Sequence, residues 1–428
     1  MKLVSAIPAS SLKLTDQICR NLLFKKLTKL SEGCIEIVEL FRGGQNFIFG
    51  NPKTPAHLRT EVRILNPHAY SRIALGGSIG TGESYAAGEW ECEQLANLIR
   101  VFVRNRSLLM ELDSGWGAIT APISKLLHRL RKNSIAGSQK NIHAHYDLGN
   151  DFFSLFLGKT WMYSSGVFLS PASSLDDAQT EKIDRICRKL NLSPEDHLVE
   201  IGTGWGGFAI HAAKKYGCRV TTTTISREQY EFTKQRITAE GLEDRIELLF
   251  RDYRLLEGQY DKLVSIEMIE AVGLDHLNIY FEKCSSLLKP EGQMLIQGIT
   301  IRDQYYASAK KSVDFIQRYI FPGSGIPSVE SISRAVTKNT DLQMSHLEDF
   351  GAHYAKTLKL WSDQLKSKRN EVLKLGYPEE LYRQWQFYFG YCEGGFLERS
   401  IGVMQMLLLK PKAHREPLLG EHYVRIHD

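Results

Sequence analysis

The stretch Leu198–Gly207, LVEIGTGWGG, decides the fold. Leu198, Val199 and Ile201 surround one acid, Glu200, and glycines follow at 202, 204, 206 and 207. FAIHAAKKYG comes next, with its apolar residues at helical spacing. The order reads as strand, tight glycine turn and helix. Glycine serves where the backbone must take positive φ or let a ligand come close. The helix beyond the turn offers unpaired N–H groups at its N-terminus.

The next strand, Cys218–Ile225 (CRVTTTTI), ends without an acid. A dinucleotide site would place one about 20 residues beyond its first glycines, to hold the ribose. An acid at the end of the strand leading into the glycines is instead a habit of S-adenosylmethionine (SAM) enzymes. Glu200 would then face the cationic methionine end of the cofactor; the other reading is a solvated strand-end acid. On that basis Glu200, Gly202, Gly204 and Gly206 are candidate cofactor contacts.

Around this unit, strands and helices alternate. Helix Asp176–Leu190 precedes it, and helices at Gly207–Tyr216 and Arg227–Glu240 flank strand Arg219–Ile225. Strands Ile246–Arg251, Lys262–Met268 and Gln293–Ile299 follow, with a helix at Leu277–Leu288 before the last. Such alternation predicts an α/β fold with a doubly wound, Rossmann-like parallel sheet. Ligands then bind at the strand C-terminal ends. Here those ends carry Gly202–Gly206, Thr224–Ser226, Asp252–Tyr253, Glu267–Glu270 and Gln297–Thr300.

The chain has 428 residues and a net charge of +5, from 54 basic and 49 acidic side chains. Two domains suit that length. The small charge and the lack of a basic stripe argue against nucleic acid. Seven cysteines, odd in number and without a C-x-x-C, suit a reduced cytoplasmic protein. No apolar run approaches the ~18 residues of a membrane span, and the first residues make a poor signal peptide.

Residues 1–135 read as a smaller N-terminal α+β domain. A helix over 1–30 leads to short strands at Ile35–Leu40, Phe47–Phe49 and Glu61–Leu65. Gly76–Trp90, rich in glycine, reads as a structural turn, and a helix follows over Cys92–Asn105. A short basic amphipathic helix bearing Lys125, Arg129, Arg131 and Lys132 reads either as a membrane-surface element or as a solvated linker. The role of this domain, membrane docking or a homodimer contact, stays open at this level.

The catalytic domain is expected over 141–428. It begins with the aromatic-rich NIHAHYDLGNDFFSLFLGKTWMYSSGVF. His143 and His145 lack a third nearby ligand and read as hydrogen-bonding loop residues, so no metal is expected.

In order along the chain, HYDLGNDFFSLFL, MYSSGVF, VEIGTGWGG, TTTISREQ, RDYR, EMIEAVG, RYIFPGSGIPS and FGAHYAKTL resemble the cyclopropane-fatty-acyl-phospholipid synthase family, which includes the mycolic acid cyclopropane synthases. Residues 76–90 are also similar to a segment of its longer members. The resemblance implies that Tyr163, Ser164, Gly202, Gly204, Thr224, Gln229, Asp252 and Tyr253 surround SAM. It implies a bicarbonate ion as base, in a pocket made by Ser165, Glu270, Gln297, Ile299 and Tyr354. Two positions depart from the family: Ser165 stands for the usual Cys, and Gln297 for the usual His.

The implied activity is methyl transfer from SAM to a cis double bond of a phospholipid acyl chain, closing a cyclopropane. The carbocation formed on the chain must be kept from water, and aromatic faces can stabilise it. The available rings are Phe152, Phe153, Phe156, Trp161, Tyr163, Phe315, Tyr319, Phe321, Tyr354 and Trp361. Proton loss from the transferred methyl closes the ring; proton loss without ring closure leaves an unsaturated product such as a methylene branch, which a later reduction would convert to a methyl branch. The altered Ser165 and Gln297 pair is where a product switch is expected, with Glu270 orienting the base or acting itself. The expected partner is a membrane, met peripherally at its inner face, with Lys310, Lys311, Arg318 and the basic helix on the headgroups. The alternatives are a lipid methyltransferase giving branched chains, a small-amine N-methyltransferase, and a lipid-binding protein without catalysis.

Overall fold

The computed structural model describes residues 13–108 and 148–414. The basic helix at 125–132 and His143 and His145 lie outside the described residues. The described chain groups into two compact units. One holds 13–108, 312–320 and 361–400; the other holds 148–311, 321–360 and 401–414. A single cut between 135 and 141 therefore does not describe the grouping, because two later segments join the N-terminal residues.

The first unit begins with α1 (Leu14–Leu27), β1 (Cys34–Glu39), β2 (Gln45–Gly50), β3 (Arg59–Ile64), α2 (His68–Ala86), β4 (Trp90–Glu91) and α3 (Leu95–Arg104). Its sheet has the order β2-β1-β3-β4, with β1 antiparallel to β2 and parallel to β3. Glu39 is fully buried and receives Arg20 Nε at 2.5 Å, Arg20 Nη2 at 3.1 Å and the Tyr70 hydroxyl at 2.5 Å. A buried carboxylate needs such partners.

The turn expected over Gly76–Trp90 is instead mostly helix: α2 continues to Ala86 across a kink at Gly77. Gly80 and Gly82 serve close packing. A Cβ on Gly82 would come within 2.2 Å of the Phe315 ring. Glycine marks turns and tight contacts alike, so composition did not separate the two.

The second unit carries α4 (Gly149–Ser154), α5 (Leu175–Leu190), β5 (His197–Ile201), α6 (Gly207–Tyr216), β6 (Arg219–Thr224), α7 (Arg227–Ala239) and β7 (Ile246–Phe250). It continues with β8 (Tyr260–Ile266), α8 (Ile269–Val272), α9 (Leu277–Ser286), β9 (Leu288–Ile301), α10 (Asp303–Ala309), α11 (Val329–Asn339) and β10 (Gln343–Asp349). Then come α12 (Gly351–Ser367), α13 (Arg369–Lys374) and α14 (Glu379–Leu397), before β11 (Ile401–Leu409) returns to the sheet. From Trp361 onward the helical residues belong to the first unit. There Glu398 pairs with Arg100 Nε at 2.7 Å and Arg104 Nε at 2.8 Å.

The large sheet has seven strands in the order β10-β11-β9-β8-β5-β6-β7. The predicted doubly wound arrangement is present, and β5 through β9 pair in parallel. The sheet is mixed rather than wholly parallel, because β11 runs antiparallel to both β9 and β10. Periodicity reports which faces of a strand are buried, not the direction in which it runs. One face is covered by Ile183, Ile186 and Leu190 of α5 with Phe208 and Ala212 of α6. The other is covered by Leu277, Tyr280 and Phe281 of α9 with Ile332 and Val336 of α11. Strand order reverses between β5 and β8. That switch point is where an open α/β sheet offers a crevice. No helix among the described residues is long and apolar enough to cross a membrane.

Candidate active site

β5 ends at Ile201, and the N–H groups of Gly202 and Thr203 donate to the Thr223 carbonyl of β6 at 3.2 and 2.9 Å. The chain then turns through Gly204, at φ +54°, where an added Cβ would meet nothing within 4 Å. Gly207 is the opposite case: a Cβ there would lie 2.5 Å from the Thr160 carbonyl oxygen and 2.6 Å from Met162 Sδ. Gly204 therefore borders open space, and Gly207 is a packing contact. Between them Trp205 is buried, its Nε1 donating to Asn150 Oδ1 at 2.6 Å.

Glu200 is 2% exposed and accepts from Thr222 Oγ1 at 2.6 Å, so it is not a solvated strand-end acid. Behind it Lys182 of α5 is fully buried and donates from Nζ to Ser164 Oγ at 2.6 Å. Burial pushes Lys182 down to about 7, while the fields of Glu267 and Glu200 work against that. Glu200 is pushed up to about 8 by burial, opposed by Thr222 and Lys182. The open space at Gly204 and the buried acid beside the glycine turn fit a cationic cofactor.

Ser165, Gln297 and Tyr354, expected to share a pocket, do converge. They converge on a residue that sequence reasoning left without a role. Glu267 Oε1 accepts the Ser165 N–H at 3.0 Å and Gln297 Nε2 at 2.8 Å, and Glu267 Oε2 accepts the Tyr354 hydroxyl at 2.6 Å. Its backbone sits at φ +51° and its N–H donates to the Gln297 carbonyl at 2.7 Å. Ser165 Oγ is turned away, donating to the Gly166 carbonyl at 2.9 Å. Glu270 Oε1 accepts the Ile299 N–H, and its Oε2 is buried without a hydrogen-bond partner.

A bicarbonate ion, implied by the resemblance, would need free donors here. The donors that would hold it already donate to Glu267, and the nearby Glu270 adds a second carboxyl group. An external anion would meet acceptors rather than free donors, so these residues do not fit a bicarbonate.

The two carboxyl groups are set apart electrostatically. Burial, then repulsion from Glu267, push Glu270 up to about 8, with only the Ile299 and Glu270 backbone N–H groups opposing. Glu267 is also raised by burial, but Tyr354, Ser165, Gln297 and Lys182 all favour its charged form. Different environments for neighbouring carboxyls separate acid from base.

A buried polar line runs on from Gln297. Its Oε1 accepts Gln405 Nε2 at 3.0 Å, and Gln405 Oε1 accepts Lys189 Nζ at 2.8 Å. Lys189 also pairs with Glu348 Oε2 at 2.5 Å. Lys182, Lys189 and Gln405 gave no sequence-level signal, since lysines on a helix normally read as its solvated face. Glu267 could have been found as a second acid three residues before Glu270, at the end of a strand.

The other expected positions lie along the strand ends. Thr224 Oγ1 donates to Gln229 Oε1 at 2.9 Å. Asp252 is held by Arg254, Nε to Oδ1 at 2.8 Å and Nη2 to Oδ2 at 2.7 Å. Tyr253 is half-buried against Tyr280. Tyr163 stacks on Phe321 with centroids 6.1 Å apart and meets Phe153 edge-on at 5.5 Å. Phe315, Tyr319 and Trp361, expected among the site rings, belong instead to the first unit, where Phe315 packs on Phe387. Lys310, an expected headgroup contact, is paired with Asp275 at 2.9 Å. No cluster of three metal-ligating side chains occurs among the described residues.

Comparison with known proteins gives this geometry its context. The profile of the mycolic acid cyclopropane synthetase family matches residues 133–406. The tuberculostearic acid methyltransferase of Mycobacterium tuberculosis is 35% identical over 369 residues, 84% of either chain. The cyclopropane-fatty-acyl-phospholipid synthase of Escherichia coli K12 is 33% identical over 351 residues, 81% of this chain and 87% of that one. A solved mycolic acid cyclopropane synthase, complexed with SAH and CTAB, superposes with a TM-score of 0.60 at 30% identity, covering 64% of this chain and 98% of that one. With its glycine turn, its buried acids and a match across most of its length, the chain belongs to the mycolic acid cyclopropane synthetase family and is a SAM-dependent methyltransferase.

Proposed function

We propose that this enzyme methylates a cis double bond in an unsaturated phospholipid acyl chain and closes a cyclopropane ring there. The observation that carries the reading is an aromatic wall next to buried carboxyls: Tyr163, with Phe153 and Phe321 around it, directly precedes the Ser164–Ser165 segment that contacts Lys182 and Glu267. When bound, SAM supplies a methyl group electrophilic enough for an unactivated alkene. Glu200 and the turn at Gly202–Gly206 would hold it, with Tyr163, Ser164, Thr224, Gln229, Asp252 and Tyr253 around it. The ring faces would stabilise positive charge on the acyl chain, worth ~2 kcal/mol for a desolvated contact, and would keep water from it. Both relatives named above carry lipid-directed names, which supports an acyl substrate.

One observation favours a second reading, a methylene- or methyl-branched product. Ser165 and Gln297 depart from the family's usual pair and both contact Glu267, and the position of the base decides which proton is lost. The 35% identity to a tuberculostearic acid methyltransferase supports that reading too. For location we propose the cytoplasmic face of the membrane, with the enzyme bound peripherally. Seven free cysteines support a reducing compartment.

The test is mass spectrometry and NMR of fatty acids from cells that lack a related enzyme, express this chain and are fed methyl-labelled methionine. Label in a ring methylene is the expected result. Label in a branch selects the second reading, and no label in lipid overturns both.

A further inference from the structure

Resting on the acyl-methylation reading, we propose that Glu267 is the base of this enzyme and that catalysis needs no bicarbonate. Three donors from three separate parts of the chain aim at one carboxylate: the Ser165 N–H, the Gln297 amide of β9 and the Tyr354 hydroxyl of α12. They come from three of the five residues that the family resemblance assigns to the anion. Glu267 brings the negative charge into the same place on the protein's own chain.

The backbone supports this. A φ of +51° lies in the left-handed region and is strained for glutamate. Such strain persists where the surroundings over-determine it, and it gathers at functional sites. Here the Glu267 N–H is tied to the Gln297 carbonyl at 2.7 Å, so main chain and side chain are fixed by the same β9 residue. Oε1 accepts two hydrogen bonds and Oε2 accepts one, which leaves Oε2 a lone pair for an incoming proton. Glu270 has a different part. Burial and repulsion from Glu267 push it up to about 8, and no donor reaches its Oε2.

The step balances without a further reagent. The alkene electron pair forms the new bond to the methyl carbon, and the sulfur–carbon pair stays on sulfur, leaving S-adenosylhomocysteine (SAH) and a cation on the acyl chain. Glu267 then takes a proton from the added methyl, and the C–H pair becomes the third side of the ring. Loss of a different proton, without ring closure, would instead leave an alkene.

The experiment uses the purified full chain with methyl-labelled SAM and vesicles of dioleoylphosphatidylglycerol, in buffer stripped of carbon dioxide. The expected result is a wild-type rate that added bicarbonate does not change, and a Glu267→Gln rate lower by 10²- to 10⁴-fold, the usual worth of a positioned base, with SAH affinity retained. Glu267→Gly suits the positive φ and opens the donors to solvent; its rate should recover with added bicarbonate. A wild-type rate that falls on depletion and returns with bicarbonate overturns the proposal, as does less than a tenfold loss in Glu267→Gln. A second measurement needs no substrate: ¹³C NMR of labelled bicarbonate with the SAH-loaded wild type should show no saturable binding. Saturable binding that SAH-loaded Glu267→Gly shares or strengthens overturns this inference alone, whereas a wild type that labels no acyl lipid overturns the acyl reading beneath it.

Discussion

Gln405 stands directly opposite Gln297 in the antiparallel β9–β11 pair, and its Nε2 donates to Gln297 Oε1 at 3.0 Å. The contact fixes which way the Gln297 amide points. Gln405 Oε1 is committed to Lys189, so Gln405 can offer only its NH₂ group to Gln297. Gln297 must then accept with its oxygen and donate with its nitrogen, toward Glu267. A buried cation thus sets the direction of a hydrogen-bond line that ends on a carboxylate. In a low-dielectric interior such lines are stronger than isolated pairs.

Gln405→Leu should break this line. It removes a buried partner from both Gln297 and Lys189, which costs about 1–3 kcal/mol per group left unsatisfied. Urea denaturation should show that loss. The kcat should fall while the KM for SAM stays near its wild-type value, because Gln297 alone loses its orientation. An unchanged kcat would show that the amide direction does not matter.

Lys182→Met tests the buried cation. Lys182 lowers the pKa of both Glu200 and Glu267, so its removal raises them, and their charged forms appear only at higher pH. The acidic limb of the pH profile of kcat/KM should move upward. Stability offers an independent check. Lys182 is pushed from 10.5 down to about 7, so between these values the unfolded chain binds more protons than the folded one. Its contribution to stability therefore rises with pH across that window, and the rise should vanish in the variant.

The glycines of the turn should separate by function. Gly207→Ala drives a methyl into the Thr160 carbonyl and Met162, and should cost about 1–3 kcal/mol in stability. Gly204→Ala meets no protein atom and costs only ~1–2 kcal/mol of backbone strain. Its methyl enters the open space, so SAH affinity measured by calorimetry should fall by at least tenfold in a folded protein. Full affinity in Gly204→Ala would move the cofactor elsewhere.

Glu398 probes the first unit. Its side chain is 9% exposed and is clasped by Arg100 and Arg104 of α3. Glu398→Gln takes the anion from Arg100 and leaves Arg104 with Glu32 alone, at 3.4 Å, and should lower stability by about 1–3 kcal/mol. SAH affinity should be unchanged, since Glu398 and the glycine turn belong to different units.

The sequence by itself determined the α/β unit at the heart of this protein. LVEIGTGWGG required a strand, a glycine turn and a helix, and the alternation around it required a doubly wound sheet. Motif order was enough to name the family. Through that resemblance it also assigned Ser165, Gln297, Ile299, Glu270 and Tyr354 to one pocket. Local signals can determine the α/β unit because burial periodicity and turn chemistry are properties of neighbouring residues.

Only the tertiary structure decided what that site contains. Glu267 became its centre through donors that lie 102, 30 and 87 residues away along the chain. Lys182 and Lys189 became interior cations because the helix carrying them turns those side chains toward the sheet, where Ser164, Glu348 and Gln405 receive them. The antiparallel β11 and the helical glycine segment at 76–86 have the same origin. A side chain's charge, strand direction and a glycine's purpose depend on what packs against them, and that is settled by contacts far apart in the chain.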